Sequence, residues 1–233
     1  MNGTIISIEG TDGSGKHTQQ QLLLGDLNKL GYKVFDQSFP NYGSRSAMPV
    51  QMYLDGELGD TANCLDAYEA SVLYAVDRLC TYKKTIRPHY ENGEIILFDR
   101  YVQSNFIHHT SRIADPNEKL KYLDFMSDLE YGKFHLPKPD LVFFIEMPVE
   151  KSLELAHARA ELKNGSTKDI LESDTEYMTN AYNNGINLAK KFGWTIIHCL
   201  DDSGNLKTID AIHEEIMKIA INFLNSKNVL PRK

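Results

Sequence analysis

The segment TIISIEGTDGSGKHTQ, residues 4–19, constrains the fold of this chain more than any other stretch. Its β-branched start predicts a buried strand, and the glycine-rich run from Gly10 through Gly15 to Lys16 follows directly. Leucines at helical spacing then predict a helix over residues 16–30. Glycines allow successive main-chain N–H groups to converge on a phosphate, and the helix adds its positive end. This strand–loop–helix unit predicts a phosphate-binding site at the edge of a sheet.

The rest of the chain repeats the alternation of strand and helix. Further runs rich in β-branched and aromatic residues cover 33–39, 94–99, 140–147 and 194–200. They are continuous rather than alternating, which is typical of strands covered on both faces. Helical spacing recurs over 62–86, 116–131, 149–163, 174–192 and 207–225. The pattern predicts an α/β fold with an open parallel sheet of about five strands and helices on both faces.

Composition narrows the class of protein. The 233 residues contain no repeat or linker, so we expect a single domain over 1–233. A net charge of −7 argues against a general binder of nucleic acid polymers or anionic membranes, which need a broad basic surface. There is no apolar run long enough to span a membrane and no signal-peptide pattern, and the three cysteines are widely spaced. We therefore expect a cytoplasmic protein.

One residue of the phosphate loop departs from the usual pattern. A Ser or Thr normally follows the lysine, because its hydroxyl binds Mg²⁺. Here the residue is His17, and a neutral imidazole is a poor ligand for a hard cation. The hydroxyl of Thr18 lies about 100° further round the helix and cannot simply replace it. The loop is therefore either a working site with weakened magnesium binding or a site that has lost catalysis.

A second motif, Asp99-Arg100-Tyr101, stands at the end of the run over residues 94–99. Ligands of open α/β sheets bind at the carboxyl ends of the strands. A carboxylate at this position can hold Mg²⁺ through water, and an arginine can form a forked contact with a phosphate. We therefore expect Asp99 to be a metal-binding residue and Arg100 to contact a phosphate.

These motifs resemble the thymidylate kinase family over nearly the whole chain. The similar segments are IEGTDGSGKHTQ (8–19), SVLYAVDR (71–78), FDRYVQSN (98–105), PDLVFFIEMPVE (139–150) and ARAELKNGSTKDILESD (158–174), the last being similar to the lid of the family. The resemblance implies a P-loop nucleoside monophosphate kinase that transfers the γ-phosphoryl group of ATP to dTMP with the help of Mg²⁺. It also implies a homodimer formed through helices, for which the apolar helix 62–86 is a candidate face unless that face packs on the sheet.

The resemblance also implies roles for individual residues. The implied ATP-binding residues are Gly10, Asp12, Gly13, Ser14, Gly15, Lys16, His17 and Thr18. The implied dTMP-binding residues are Asp12, Phe39, Pro40, Arg45, Tyr74, Arg78, Arg100, Ser104 and Asn105. Among these, Asp12 would meet the sugar 3′-hydroxyl, Tyr74 would stack on thymine and Arg78 would contact the base. Arg100 would hold the acceptor phosphate, and Ser104 or Asn105 would face the base. The implied catalytic residues are Lys16, Asp99, Arg100, Arg159, Lys163 and Lys168, the last three in the lid.

Several positions depart from the family pattern. Tyr74 replaces the more usual Phe, and Tyr42 stands where some members carry a phosphate-binding Arg, with Arg45 three residues later. The pair His108-His109 stands where Tyr-Gln is common. The phosphate loop lacks the arginine that some members carry, so the charge near the transferred group should come from the lid. Two alternatives stay open: a kinase for a related nucleoside or nucleotide, and a catalytically weak nucleotide-binding protein.

Overall fold

The computed structural model describes residues 2–59, 61, 64–162 and 175–231, with only the backbone described for 156–162. The strands are β1 (Thr4–Glu9), β2 (Val34–Ser38), β3 (Ile95–Asp99), β4 (Leu141–Glu146) and β5 (Thr195–His198). The helices are α1 (Lys16–Lys29), α2 (Met48–Leu54), α3 (Ala67–Thr81), α4 (Arg87–Glu91), α5 (Val102–Thr110), α6 (Pro116–Ser127), α7 (Val149–Leu162), α8 (Thr175–Phe192) and α9 (Ile209–Ser226). Two π-helical turns, Tyr82–Ile86 and Asp128–Lys133, continue α3 and α6.

The five strands form one parallel sheet in the order β2-β3-β1-β4-β5. All five predicted strands are present, and the predicted α/β fold is confirmed. Asp99 at the end of β3 lies beside Ile8 of β1 on one side and Ser38 of β2 on the other. The ends of β1, β2 and β3 therefore lie together. Because the strands are parallel, this carboxyl edge collects the loops that follow them.

The central strand β1 separates two apolar layers. Ile5 faces the layer built on α3, α5 and α8, whereas Ile6 and Ile8 face the layer built on α1 and α9. All three isoleucines are fully buried. The phosphate loop therefore leaves the most enclosed strand of the sheet, which holds its position rigidly at the carboxyl edge.

The helix predicted over 62–86 differs from the structure at its start and in its buried face. α3 begins after Asp66, whose side chain accepts a hydrogen bond from Glu69 N, and Glu69 in turn accepts from Asp66 N. This capping box satisfies main-chain donors that a longer helix would have bonded internally. Ala75 is buried, but Val72 and Val76 of the same predicted stripe are each 37% exposed. The predicted apolar stripe of α3 thus includes both buried and exposed residues.

Three of the described helices, α2, α4 and α5, were not predicted from the sequence. In α5 all the residues except His108 are buried, polar ones included, so the helix shows no apolar stripe against a polar face. α5 packs against α3, α6 and α8, which covers it from several sides. Along the described part of the chain, none of the helices combines the length and apolar character that crossing a membrane requires.

Candidate active site

The phosphate loop (residues 10–15) connects β1 to α1 with its main chain turned inward. Gly15 caps α1 in a left-handed conformation, with φ 87°, and no side chain bonds the helix start. Gly13 also has a positive φ, and a Cβ there would lie 2.7 Å from the carbonyl oxygen of Ser152. Only glycine fits such a position. The N–H groups at this helix end therefore have no side-chain cap among the described residues, and they suit an anion.

Lys16 brings a buried cation to the loop. Its side chain is 6% exposed, and Nζ donates to the carbonyl oxygen of Thr11 at 2.6 Å. Burial, and then the nearby positive charge of Arg100, lower the pKa of Lys16 to about 8. An anionic ligand at the loop would reverse both effects, because it supplies the negative charge that the lysine lacks.

His17 and Asp99 lie side by side at the mouth of the loop. Nδ1 of His17 is 3.4 Å from Oδ2 of Asp99, and the imidazole is 71% exposed. The other carboxylate oxygen, Oδ1 of Asp99, is buried and lacks a hydrogen-bond partner among the described residues. An unpaired carboxylate oxygen at this place fits a hard cation that binds through oxygen. The residues present therefore suit Mg²⁺, whereas His17 adds no oxygen ligand.

These residues line an open cleft with about 920 Å³ of empty volume, open solvent included. Its walls are Asp12, Gly13, Gly15, Lys16, His17, Thr18, Ser38, Phe39, Pro40, Tyr42, Asp99 and Arg100. A second cavity of about 540 Å³, measured in the same way, adjoins it. Its walls are Asp12, Phe39, Pro40, Leu54, Tyr74, Arg78, Arg100, Ser104, Asn105, His108, His109 and Tyr177. The two cavities share Asp12, Phe39, Pro40 and Arg100 as lining residues, so they lie side by side.

The second cavity gathers the residues expected to bind dTMP, with one exception. Eight of them, Asp12, Phe39, Pro40, Tyr74, Arg78, Arg100, Ser104 and Asn105, line it. Arg45 is exposed and is not among the residues that line either cavity. The structure therefore gives no support to Arg45 as a replacement for the arginine that Tyr42 displaces, and its role stays a prediction.

Arg100 stands at the junction of the two cavities. Its backbone is left-handed, with φ 67°, an uncommon conformation for a residue with a side chain. One terminal nitrogen pairs with Asp12, and the other lies 3.3 Å from the Gly10 carbonyl, 3.3 Å from Ser104 Oγ and 2.9 Å from His108 Nε2. This strain is compatible with a functional site, since several partners hold the side chain in place.

The charge of Asp12 is set by its surroundings. Burial alone would raise the pKa of Asp12, but the cations Arg100 and Lys16 together lower it well below its usual value. Asp12 is therefore ionised throughout the physiological range. In this structure the carboxylate of Asp12 pairs with Arg100 and holds its guanidinium at the cavity wall.

His108 was not predicted as a site residue, although its departure from the family pattern marks it. Because arginine is always a donor, Nε2 of His108 must accept from Arg100. The proton of the neutral ring is then on Nδ1, 3.1 Å from the hydroxyl oxygen of Tyr177. Burial, and then Arg100, lower the pKa of His108 to about 3. The imidazole is therefore neutral at physiological pH. Tyr177 belongs to α8 and lines the same cavity.

Arg78 is a second arginine in the wall of this cavity. Its guanidinium is almost fully buried and forms a two-point contact with Glu130, at 2.7 Å and 2.5 Å. Asn105 Nδ2 lies 3.2 Å from the carbonyl oxygen of Ser71. Tyr74 lies against His109, with ring centroids 5.5 Å apart. Tyr74, Arg78 and Asn105, which were predicted to contact the base, thus line the same cavity as Arg100.

Glu9 is a further residue that the sequence did not reveal. It is fully buried, and its carboxylate accepts from Tyr101 N at 2.8 Å, Ser104 Oγ at 2.6 Å and Ser7 Oγ at 2.5 Å. Burial raises the pKa of Glu9, and these hydrogen bonds oppose that rise. Glu9 fixes the start of α5 against β1. The hydroxyl of Ser104 is thereby committed to Glu9 and Arg100, which leaves Asn105 as the better candidate to face a base.

Asp77 holds the loop after β2 in place. Its carboxylate accepts from Asn41 N at 2.8 Å and from Ser46 Oγ at 2.7 Å, and the side chain is buried. This loop carries Phe39 and Pro40, which are joined by a cis peptide bond and line both cavities. Asp77 therefore shapes the wall between the cavities without lining them.

The lid residues lie outside what the structure describes. Lys163 and Lys168 fall between residues 162 and 175, and Arg159 belongs to α7 with only its backbone described. The lid expected over residues 158–174 and the three cations assigned to it thus stay predictions.

Comparison with known proteins agrees with this geometry. The family model for thymidylate kinase matches residues 8–199. A thymidylate kinase of Mycobacterium tuberculosis is 32% identical over 173 residues, which cover 74% of this chain and 79% of the relative. A thymidylate kinase of an Exiguobacterium species is 28% identical over 231 residues, covering 98% and 99%. A probable thymidylate kinase of Pyrococcus horikoshii is 28% identical over 221 residues, covering 94% and 96%. This chain belongs to the thymidylate kinase family.

Proposed function

We propose that this protein transfers the γ-phosphoryl group of ATP to dTMP, giving dTDP and ADP. The observation that carries the proposal is that two adjoining cavities share Arg100 and Asp12 in their walls. One contains a phosphate loop, and the other ends in side chains that can read a nucleobase. A donor in the first and an acceptor in the second would bring their phosphates together beside Arg100. Family membership supports the same reaction.

The donor is held mainly by the main chain. The N–H groups of the phosphate loop and the start of α1 bind the phosphates, and Lys16 exchanges its bond to Thr11 for the outer phosphates. Mg²⁺, when bound, neutralises charge that develops on the transferred group. Asp99 would hold it, directly or through water, with its unpaired Oδ1. His17 would sit beside the ion rather than bind it.

The acceptor is positioned by Arg100. A phosphate arriving in the second cavity would meet a guanidinium already fixed by Gly10, Ser104 and His108. Asp12 is then released from part of its pairing and can accept from the sugar 3′-hydroxyl. The attacking phosphate oxygen is already an anion, so the reaction needs no strong general base. Positioning and charge neutralisation are the main contributions expected of a protein in phosphoryl transfer.

The base is recognised by other residues of the second cavity. The ring of Tyr74 offers a stacking face, and Arg78 and Asn105 offer polar groups in the same cavity. A pocket that pairs its buried polar groups with one base edge rejects other bases, because these leave the groups unsatisfied. We propose that dTMP is preferred over dCMP and dGMP on this basis, and over dUMP, which has the same polar edge as dTMP, through contact with the methyl group of thymine. Arg159, Lys163 and Lys168 would supply the remaining charge from the lid.

The proposal is tested by ADP release with a panel of nucleoside monophosphates. Turnover with dTMP at a higher kcat/KM than with the other acceptors supports it. Equal kcat/KM for dTMP and dCMP would contradict the proposed preference for thymine. Preferred turnover of another acceptor would favour a kinase of a related nucleotide. ATP binding without turnover of any acceptor would indicate the weak nucleotide-binding protein that His17 raises as an alternative.

We also propose that the protein is a homodimer, as the family resemblance implies. Val72 and Val76 of α3 and Phe125 of α6 are 37%, 37% and 39% exposed. Tyr68 links the two helices by edge contact with Phe125, at 5.1 Å between centroids. An apolar face of this kind suits association of two copies. Light scattering of the protein and of Val76→Glu tests it: a dimer that the substitution dissociates is expected. The cytoplasmic location predicted from the sequence stays a prediction.

A further inference from the structure

We propose that Glu130 is a positioning residue that sets the hydrogen-bonding polarity of the base pocket, and thereby decides between thymine and cytosine. The inference rests on the proposed function and extends it to a residue that no motif of the sequence marks. Glu130 is fully buried and lies in the π-helical turn Asp128–Lys133. Such turns are frequent at functional sites, because they redirect a side chain out of the helical repeat.

The first group that Glu130 positions is the guanidinium of Arg78. Oε2 of Glu130 accepts from Nε at 2.7 Å, and Oε1 accepts from one terminal nitrogen at 2.5 Å. The side chains are 1% and 0% exposed, so water does not compete for either partner. This two-point contact fixes the plane of the guanidinium and leaves the second terminal nitrogen for the cavity that Arg78 lines. Because arginine only donates, it presents a donor to the base.

The second group is the side-chain amide of Asn105. Its Nδ2 lies 3.2 Å from the carbonyl oxygen of Ser71 and 3.4 Å from Oε1 of Glu130. Both partners can only accept, so the amide must turn its NH₂ group toward them. The end left for a ligand in the cavity is then Oδ1, which is an acceptor. Glu130 thus contributes to the orientation of both side chains.

A donor beside an acceptor matches thymine and not cytosine. Thymine carries the carbonyl oxygen O4 next to a protonated N3, which pair with Arg78 and Asn105 respectively. Cytosine carries an amino group next to an unprotonated N3, so both positions have the opposite polarity. A buried mismatch leaves polar groups unpaired on both sides and is strongly disfavoured. The carboxylate of Glu130 would therefore select thymine without touching it.

The test is Glu130→Gln, which keeps the shape and introduces an NH₂ group. That group cannot accept a hydrogen bond, so at least one of the bonds that Glu130 accepts from Arg78 and Asn105 is lost, and the two side chains are no longer held in the orientation that matches thymine. The ratio of kcat/KM for dTMP to kcat/KM for dCMP should then fall at least tenfold. Leu224→Ala is the matched control, because Leu224 is fully buried in the layer of α1 and α9. It should lower the melting temperature and leave the ratio within twofold of the original.

A folded Glu130→Gln protein whose ratio stays within twofold of the original would overturn the proposal. If the substitution prevents folding, the inference is tested instead by NMR of the unaltered protein bound to dTMP that is labelled with ¹⁵N at N3. The imino proton of the bound nucleotide should give a protected, hydrogen-bonded signal, and rapid exchange with water in the saturated complex would overturn the inference. Absence of dTMP turnover in the unaltered protein would instead contradict the proposed function, and it is measured first.

Discussion

Arg100 and His108 meet at 2.9 Å through a terminal guanidinium nitrogen and Nε2, and this contact dictates the proton position on the histidine. The arginine can only donate, so the ring accepts with Nε2 and carries its hydrogen on Nδ1. With a pKa of about 3, His108 adds no second cation beside Arg100 at physiological pH. The pair therefore offers one fixed positive charge to the acceptor cavity.

Replacing Arg100 with alanine should impair acceptor use far more than ATP binding. The substitution removes a charged contact to the acceptor phosphate, and we expect kcat/KM for dTMP to fall by roughly 2–4 kcal/mol in transition-state free energy. Steady-state kinetics with each substrate varied in turn measure the effect. Arg87→Ala is the control, since Arg87 is half exposed and pairs with Glu91 across one helical turn. Unchanged kinetics with dTMP would show that Arg100 serves only its ion pair with Asp12.

The pKa of Lys16 predicts a basic limit to ATP capture. Since this pKa is lowered to about 8, the free enzyme loses the cation as the pH rises through that value. We expect kcat/KM for ATP to be level below pH 8 and to fall about tenfold per unit above it. The profile of kcat should extend to higher pH, because bound phosphates favour the charged lysine. In Lys16→Arg, kcat/KM for ATP should not fall above pH 8, even if the activity is lower overall. A fall that persists in this variant would show that a group other than Lys16 titrates.

Replacing His17 with threonine tests the departure in the phosphate loop. The imidazole lies 3.4 Å from Asp99 and supplies no oxygen ligand, so a hydroxyl should strengthen magnesium binding. We expect His17→Thr to saturate at lower Mg²⁺ concentration with similar or higher kcat, measured by a magnesium titration of activity. His17→Ala, which adds no hydroxyl, should resemble the original protein. A large loss of activity in His17→Thr would mean that the imidazole contacts a phosphate, and rescue of an inactive protein would mean that the site had been disabled.

Neutralising Lys163 and Lys168 together should lower kcat with little loss of ATP affinity. The phosphate loop carries no arginine, so we expect the lid lysines to balance part of the charge on the transferred group. Interactions made mainly in the transition state appear in kcat rather than in binding. The double variant of Lys190 and Lys191, exposed at the end of α8, is the matched control. Near-normal turnover in the lid variant would point to Arg159 as the group that carries the charge alone.

The parts of the site that sequence predicts well are contiguous in the chain. The phosphate loop and Asp99-Arg100 depend on a strand, a turn and a helix start, and their positions follow from local rules. The parallel sheet also follows from the order of the elements. α5 escaped prediction because it is covered on several sides, so its polar residues hide the helical period.

The groups that support the site are distant in sequence, and no spacing reveals them. Glu9 and Ser104 meet across 95 positions, and Arg78 and Glu130 across 52. Burial of a carboxylate requires partners, but the sequence does not say which donors will surround it. The reading of Ser104 changes for this reason, since its hydroxyl is held by Glu9 rather than left for the base.

The most direct test of the account is ³¹P NMR of the protein mixed with ATP, Mg²⁺ and dTMP. The two adjoining cavities predict direct transfer of the phosphoryl group between bound nucleotides. We expect dTDP and ADP to appear in equal amounts, with no inorganic phosphate above that of a protein-free control. Release of inorganic phosphate in place of dTDP, or bound ATP that stays intact in the presence of dTMP, would contradict the account.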